Sequence, residues 1–430
     1  MAGFAKRYLL ICTALAGLNL AAPAYGQPQE TCLSFTDGLG LAVDGAPEID
    51  AAQARSAGAE AALREARALR RPQVSTFGRA AAGDNGLSSS AIENQYGLRV
   101  SQRVWDFGDS RLALAAASSE LDQQEYLEEM TRLNAARTLA DAYLLRLEAQ
   151  AMIDVIAERR EYFRRQQSSV DALLAQGGAT RAESAQIAAE LAQAEAEMLE
   201  LQSIYDRAGI RITEYTGHFA DLCSASALEA DISAAMTPLA TIDDAINAAL
   251  TANPSIAARR ASVRGLEAER DRENRARLPI VELVGVMAYT YDDNREDWET
   301  RDRLGVDVSV PLYTGSAINA RSDQAQARLA SEEAGLHAAQ RDVREEAQIT
   351  FRRQLSLNAQ LQRREAVAQS QQAYFDAISG EFQFGLGTLP DLVEARLGYE
   401  QAQLEVVRAR YDLLREQISL LHLTAQLLHP

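Results

Sequence analysis

Lysine is almost missing from this sequence. Lys6 is the one lysine, the other basic residues are arginine, and 61 acidic residues stand against 43 basic ones for a formal net charge of −18. A protein that binds nucleic acid needs a basic surface to neutralise phosphates. The charge balance therefore argues against a nucleic-acid partner.

Long apolar runs are also missing, apart from one at the start of the chain. There, the basic pair Lys6-Arg7 is followed by an apolar stretch over 8–22 and by the small-x-small sequence Ala24-Tyr25-Gly26. This order is typical of a secretory signal peptide, which we predict over residues 1–26. Beyond residue 26, no apolar run approaches the ~20 residues that a membrane-spanning helix needs.

Motifs for catalysis or metal binding are not found. The histidines after residue 26 have no spacing typical of metal ligands; they are His218, His337, His422 and His429. The sequence contains no G-x-S-x-G, no H-E-x-x-H and no phosphate-binding glycine loop. We therefore predict a protein that is not an enzyme and has no metal site and no cofactor.

Cysteine is scarce, and after residue 26 only Cys32 and Cys223 occur. A signal peptide implies an oxidising environment, in which two cysteines favour a disulfide bond between them. Two separate thiols are the alternative, because a sequence does not give the distance between two residues.

What the chain does contain is a repeat with a spacing of 207–208 residues. The landmarks occur in the same order in both halves: Ala46-Pro47 and Asn253-Pro254, Gly97 and Gly305, Gly108 and Gly315, Gly177 and Gly385, Thr180 and Thr388. This spacing is too long for a solenoid repeat and indicates a duplicated half-molecule. We predict a first repeat over 27–217, a linker over 218–240 and a second repeat over 241–430.

Each half shows the same order of predicted elements. A helix over 49–70 or 242–277 precedes two strands, and two long helices joined by a Gly-Thr turn complete the half. The first long helix covers 110–175 or 316–384, stretches without proline, and at 1.5 Å per residue it would be roughly 100 Å long. Apolar residues recur in it at three- and four-residue steps, which is typical of helices packed side by side.

The strands are predicted from alternating side chains. Residues 280–291 and 303–312 place apolar side chains on one face and polar side chains on the other. This period of two indicates a sheet that is wet on one side. Polar loops over 83–90 and 292–302 would connect the paired strands. Aromatic residues near the strand ends, such as Trp105, fit a membrane interface, and the core of a soluble sheet is the alternative.

Two local sequences add to the duplicated plan: GVDVSVPLYTGS at 305–316 and FGLGTLPDLVEA at 384–395. Together with Asn253-Pro254 they resemble the TolC-like outer-membrane efflux family, over nearly the whole chain after residue 26. The resemblance implies a membrane β-barrel plus a long α-helical barrel, with four strands and four helical rods from each protomer. Four strands cannot close a barrel, for which ~8 is about the minimum, so a barrel needs several copies of the chain, and the resemblance implies a homotrimer.

The resemblance also implies a function. The chain would be a passive channel in the bacterial outer membrane that extends into the periplasm, as the exit duct of a tripartite efflux or type I secretion system. Its partners would be a periplasmic adaptor (membrane fusion) protein, an inner-membrane pump or ABC exporter, and outer-membrane lipid. The alternative is a soluble periplasmic coiled-coil scaffold or adaptor protein, which should have one helical hairpin and small β-domains.

The family resemblance implies an acidic ring near the periplasmic tip, and by position this ring falls on Asp391 and Glu394. The two residues are three apart and face one side of a helix, so three copies would crowd six carboxylates and favour cations. Helix capping is the alternative for Asp391 and Glu183. Glu394 lies beyond the capping position, and its alternative is a solvated acidic residue on the helix surface. The residues expected at the tip, in contact with an adaptor, are Gly177, Gly178, Thr180, Glu183, Gly385, Gly387, Thr388 and Leu389.

Overall fold

The computed structural model describes residues 32–83, 91–217, 221–236, 239–292 and 297–428. The described residues from Leu33 onward belong to one compact unit. The predicted signal peptide, 1–26, lies outside the described residues.

The described chain is mostly helical, with one antiparallel sheet. The helices are α1 (Phe35–Gly45), α2 (Pro47–Ala68), α3 (Asp109–Ala175), α4 (Arg181–Thr216), α5 (Ala225–Ala235), α6 (Ile242–Ala252), α7 (Pro254–Arg275), α8 (Ala317–Gln383) and α9 (Leu389–Leu423), followed by a 3₁₀ turn at Gln426–Leu428. The strands are β1 (Gln73–Gly83), β2 (Ala91–Trp105), β3 (Ile280–Asp292) and β4 (Asp297–Ser309). Among the described residues, no helix has the length and apolar character needed to cross a membrane.

The element order confirms the predicted duplication. Helix, strand, strand, helix, helix is the order of α2-β1-β2-α3-α4, and α7-β3-β4-α8-α9 repeats it. The long helices α3 and α8 have 67 residues each, close to the predicted 110–175 and 316–384. The local signals for these helices, a lack of proline and a steady three- and four-residue period, were therefore sufficient to predict their bounds.

The helix predicted over 242–277 is in fact two helices, α6 and α7, which meet at Asn253. The Asn253 side-chain oxygen accepts a hydrogen bond from the Ser255 backbone N–H at 3.0 Å and caps α7. Pro254 opens α7, a position where its missing N–H costs little. The predicted linker, 218–240, contains the helix α5, which the sequence pattern did not indicate.

The shorter helices lie along the long one. α2, with 22 residues, and α4, with 36, both pack on α3. They meet end to end, where the Tyr215 hydroxyl near the end of α4 donates to the Glu48 carboxylate at the start of α2 over 3.2 Å. The main core lies near this level, where Tyr143 of α3 is fully buried and donates its hydroxyl to the Leu33 carbonyl at 2.9 Å.

The sheet is a four-stranded antiparallel meander in the order β1-β2-β3-β4. β4 begins at Asp297 and ends at Ser309, so the prediction of a strand over 303–312 after a loop over 292–302 was shifted along the chain. The cause is composition: residues 297–303 carry many charged side chains, as loops often do, and yet they pair in register with β3.

The two faces of the sheet differ sharply. One face exposes many large apolar side chains, with Gln102, Thr300 and Asp302 as polar residues on the same face; the apolar ones are Val74, Tyr96, Leu98, Val100, Leu283, Met287, Tyr289, Leu304, Val306 and Val308. The opposite face carries serine, glutamine, glutamate and arginine side chains, mainly from β1, β2 and β4, whereas β3 contributes Val284, Val286 and Ala288 to it. The predicted alternation of apolar and polar faces is therefore confirmed.

Candidate functional site

The turn between α3 and α4 is built by glycine and closed by a cap. Gly177 has a φ of 79°, a left-handed conformation that costs glycine little. The Gly178 N–H donates to the Leu173 carbonyl at 2.8 Å, which satisfies the end of α3. Thr180 then caps α4, because its hydroxyl accepts from the Glu183 N–H at 3.2 Å and the Glu183 carboxylate accepts from the Thr180 N–H at 2.7 Å.

The turn between α8 and α9 repeats this construction. Gly385 has a φ of 73°, and the Leu386 N–H donates to the Glu381 carbonyl at 2.9 Å. The Thr388 hydroxyl accepts from the Asp391 N–H at 3.4 Å and donates to the Asp391 carboxylate at 2.6 Å. The two hairpin turns therefore share one design, a glycine turn followed by a capping box.

Helix capping accounts for two of the acidic residues expected near the tip. Glu183 and Asp391 each stand at the N3 position of their helix, as the acidic member of a capping box. Hydrogen bonds from Thr180 lower the pKa of the Glu183 carboxyl. Glu394 is different: it is exposed one turn further along α9 and forms no ion pair with the residues that the structure describes. Capping therefore does not explain Glu394.

Asp391 and Glu394 share the exposed face of α9. The opposite face is buried and includes Leu392 and Val393, which lie 2% and 4% exposed. This face packs on Phe163 of α3 and Ile187 of α4. The two hairpin ends are thus held together, with both acids directed away from the contact.

The exposed tip residues differ in part from those predicted. Leu389 is 5% exposed and packs into the contact between the hairpins, so its predicted role in an adaptor contact is not met by this geometry. Phe384 and Leu386 in the same turn are 83% and 80% exposed. Neither residue was predicted to contact a partner, although two apolar side chains beside turn glycines are a signal that the sequence contains.

The Thr388→Ala variant should loosen the start of α9. Loss of a threonine N-cap costs about 1 kcal/mol, so hydrogen exchange of the amides at 391–394 should accelerate about fivefold. Thr388→Ser keeps the hydroxyl and should exchange like the wild type. Equal exchange in Thr388→Ala and the wild type would contradict the capping assignment.

A buried ionic network above the tip joins three helices. Arg159 of α3 is 6% exposed, forms an ion pair with Glu197 of α4 and lies 3.0 Å from the Glu400 carboxylate of α9. Glu400 is 2% exposed. No sequence motif marked this network, because its members lie far apart along the chain.

A buried arginine beside this network extends it to the fourth rod. Arg396 of α9 is 7% exposed, and its guanidinium lies 5.1 Å from the ring centroid of Tyr162 on α3 and 5.4 Å from that of Phe375 on α8. Cation–π contacts of this kind gain strength when the cation is desolvated. All four rods are therefore tied together at one level.

The predicted cysteine pair lies away from the tip, beside Leu33 and at the level of Tyr143 in the middle of α3. Cys32 and Cys223 are each disulfide-bonded in the structure. The Leu33 N–H donates to the Asp221 carbonyl at 2.8 Å, and the Cys223 N–H donates to the Leu33 carbonyl at 3.1 Å. This backbone pairing supports our prediction that the two cysteines bond to each other.

The described part of the chain contains two helical hairpins, α3-α4 and α8-α9, rather than the single hairpin expected of an adaptor. Within the same residues, no group of three or more His, Cys, Asp or Glu side chains is arranged to hold a metal ion. The geometry is that of a two-hairpin rod carrying a sheet with one apolar and one polar face.

Comparison with known proteins identifies the family. The model of the outer membrane efflux protein family matches residues 39–218 and 245–426. The outer membrane efflux protein BepC of Brucella suis biovar 1 (strain 1330) is 23% identical over 370 residues, 84% of this chain and 78% of BepC. The solved outer membrane protein VceC of Vibrio cholerae has the same fold, with a TM-score of 0.77 and 19% identity over 91% of this chain and 95% of VceC.

The outer membrane protein TolC of Escherichia coli (strain K12) matches a shorter stretch. It is 27% identical over 139 residues, which is 32% of this chain and 27% of TolC, so this alignment spans about a quarter of that relative. The family model, in contrast, matches most of both halves of the chain. The chain therefore belongs to the outer membrane efflux protein family and is an outer-membrane protein.

Proposed function

We propose that three copies of this chain form a passive channel through the outer membrane, the exit duct of a tripartite efflux or type I secretion system. The observation that carries this proposal is the sheet with one exposed apolar face and one polar face, mounted on four helical rods. The apolar face meets lipid, the polar face lines the channel, and the rods extend into the periplasm. Transport through such a duct needs no catalysis and no cofactor.

The dimensions of the apolar face support this arrangement. Tyr96 stacks with Tyr289 at 5.7 Å between ring centroids near one end of the face, and Trp105 packs against Phe107 at 5.8 Å near the other. Residues 96 and 105 are nine positions apart, about 30 Å along a strand. At a tilt of about 40° the two aromatic groups are roughly 23 Å apart across the membrane, close to the apolar band of known membrane sheets.

The free edges of the sheet support a homotrimer. In the described chain β1 and β4 each pair with one neighbour, so each leaves an edge open. An open edge in lipid leaves backbone groups without partners, at a cost of several kcal/mol for each group. Three copies would join β4 to β1 of the next chain and close twelve strands into a barrel.

The hairpin ends are the proposed partner site. Phe384 and Leu386 present an apolar surface, and the turn glycines Gly177 and Gly385 keep the backbone compact there. We assign to this end the contact with a periplasmic adaptor protein, and through it with an inner-membrane pump or exporter. On the exposed face of α9, Asp391 and Glu394 from three chains would form the acidic ring.

The purified chain should behave as a trimer and conduct ions in planar bilayers. Native mass spectrometry measures the assembly, and carboxylate-directed crosslinking is the right check because Lys6 is the one lysine in the sequence. A monomer without conductance would contradict the proposed channel.

Multivalent cations such as hexaamminecobalt should block the wild-type channel. Glu394→Gln should weaken this block about tenfold or more, because it neutralises three of the six crowded carboxylates and so removes much of their attraction for the cation. Asp391→Asn should add to the effect. The control is Glu183→Gln, which makes the same charge change in the other hairpin, at the capping-box position that corresponds to Asp391. Block that is unchanged in the Glu394→Gln channel would move the acidic constriction to other residues.

A further inference from the structure

The polar face of the sheet carries a group of arginines, in a chain that is acidic as a whole. Arg79 on β1, Arg99 on β2, and Arg301 and Arg303 on β4 lie on this face in three successive rows of the register. We call these four residues the arginine band. They line a cavity of about 450 Å³, whose floor is formed by smaller side chains such as Ala288 of β3.

The positive charge of the arginine band is poorly balanced. Across the residues that the structure describes, Arg79, Arg99 and Arg303 have no ion-pair partner. Arg301 lies 3.8 Å from Glu299, with side chains 59% and 33% exposed, and a pair so open to solvent contributes little. Their neighbour Arg103 shows the contrast, because three carboxylates lie within ion-pair distance of it.

A buried hydroxyl adds a second observation. Thr290 of β3 lies on the same face, opposite Gln95 and Glu299 in the register, and is 3% exposed. Among the described residues its Oγ1 has no hydrogen-bond partner. A buried hydroxyl without a partner is costly, and this one lies in the same row of the register as Arg79 and Gln95, which line the cavity, although Thr290 itself does not.

The geometry selects the class of ligand. Guanidinium groups bind phosphate and carboxylate oxygens through paired hydrogen bonds. Arg99 and Arg303 both lie opposite Val286, on the two strands that flank β3, so their backbones are about 10 Å apart. Two arginine side chains can close over that distance on one ligand that carries several anionic groups.

We propose that the arginine band binds soluble multivalent oxyanions, solutes with several phosphate or carboxylate groups, on the inner wall of the channel. The location on the inner wall rests on the proposed function, whereas the binding itself follows from the arginine band. A soluble ligand is preferred to a lipid because the acyl chains of a lipid would need the apolar face, on the other side of the sheet.

Binding is tested by calorimetric titration of tripolyphosphate into the full-length protein in a neutral detergent. The wild type should bind, Arg99→Gln/Arg303→Gln should bind at least about tenfold more weakly, and Arg99→Lys/Arg303→Lys should lie between them. The control is Arg260→Gln/Arg328→Gln, which removes the same charge from exposed positions on α7 and α8, about 20 Å along the helices from the sheet.

The outcomes separate the possibilities. Absence of wild-type binding, equal binding by the Arg99→Gln/Arg303→Gln protein, or an equal loss in the control would overturn the proposal. Dihexanoyl phosphatidic acid, with one phosphate and two acyl chains, should bind more weakly than tripolyphosphate; tighter binding would overturn the assignment to soluble ligands.

The position of the arginine band is tested in planar bilayers. Tripolyphosphate added from the side opposite the helical tip should reduce the wild-type current and should affect the Arg99→Gln/Arg303→Gln channel less. A wild-type channel that conducts without any such block would overturn the location on the inner wall. A protein that binds tripolyphosphate but conducts no current would instead contradict the proposed function and leave the binding site intact.

Discussion

Replacing Arg159 with leucine should destabilise the folded chain by about 3–5 kcal/mol, because it leaves a buried carboxylate without its counter-charge. Arg159 connects Glu400 of α9 with Glu197 of α4, and Glu400 is 2% exposed. The measurement is the apparent unfolding midpoint at pH 8, followed by circular dichroism at a fixed scan rate. We expect a drop of roughly 5 °C or more.

Two further variants define the cause. Arg165→Leu is the matched control, since Arg165 lies on the same helix, is 65% exposed and, among the described residues, has Glu161 one turn away as its one ion-pair partner; the midpoint of this variant should change little. Arg159→Leu/Glu400→Leu removes both buried charges and should recover much of the lost stability. A double variant no more stable than Arg159→Leu would show that packing, not the unpaired carboxylate, sets the cost.

The sequence predicted those parts of the fold that depend on local signals. The end of α3 at Ala175 and the start of α9 at Leu389 follow from neighbouring glycines and a threonine cap. α1 was missed because it contains glycines at 38 and 40, which lower helix propensity by about 1 kcal/mol each. Burial of Phe35 and Leu39 in the core overrides that penalty.

The functional-site residues also divide into those marked by local sequence signals and those brought together by long-range contacts. Both capping boxes join residues three apart and could be predicted, whereas the Arg159–Glu400 pair joins residues 241 positions apart and no local pattern marks it. The arginine band lies between these two cases, because it depends on both a local pattern and the order of the strands. The period-two alternation over 303–312 placed Arg303 on a polar face, but the strand order β1-β2-β3-β4 is what brings Arg99 onto the same face beside it.

Glu400→Gln should remove a pH dependence of stability that the wild type has between pH 4.5 and 7. Burial raises the pKa of the Glu400 carboxyl from 4.5 to about 7, against the opposing effect of the Arg159 and Arg396 guanidiniums. The Glu197 and Glu190 carboxylates on α4 raise it further. Although Arg159 lies 3.0 Å away, desolvation of a nearly inaccessible carboxylate outweighs the attraction.

The sign of the effect follows from the raised pKa. The folded state holds the proton more tightly than the unfolded chain, so this contribution to stability is complete below pH 4.5 and is lost as the pH rises through 7. At about 1.4 kcal/mol for each pKa unit, it amounts to roughly 3 kcal/mol for each chain. Glutamine imitates the protonated carboxyl, so the wild type should lose stability relative to Glu400→Gln as the pH rises.

The measurement compares apparent unfolding midpoints of the two proteins at pH 5 and pH 8. The wild-type midpoint, relative to that of Glu400→Gln, should fall by several degrees over this interval. Glu195→Gln changes a half-exposed carboxylate on α4 and should show no such divergence from the wild type. The opposite result would be a wild-type midpoint that rises relative to that of Glu400→Gln as the pH rises. It would show that Glu400 is ionised throughout and that the attraction of Arg159 outweighs the effect of burial, because a carboxylate with a lowered pKa stabilises the fold at high pH.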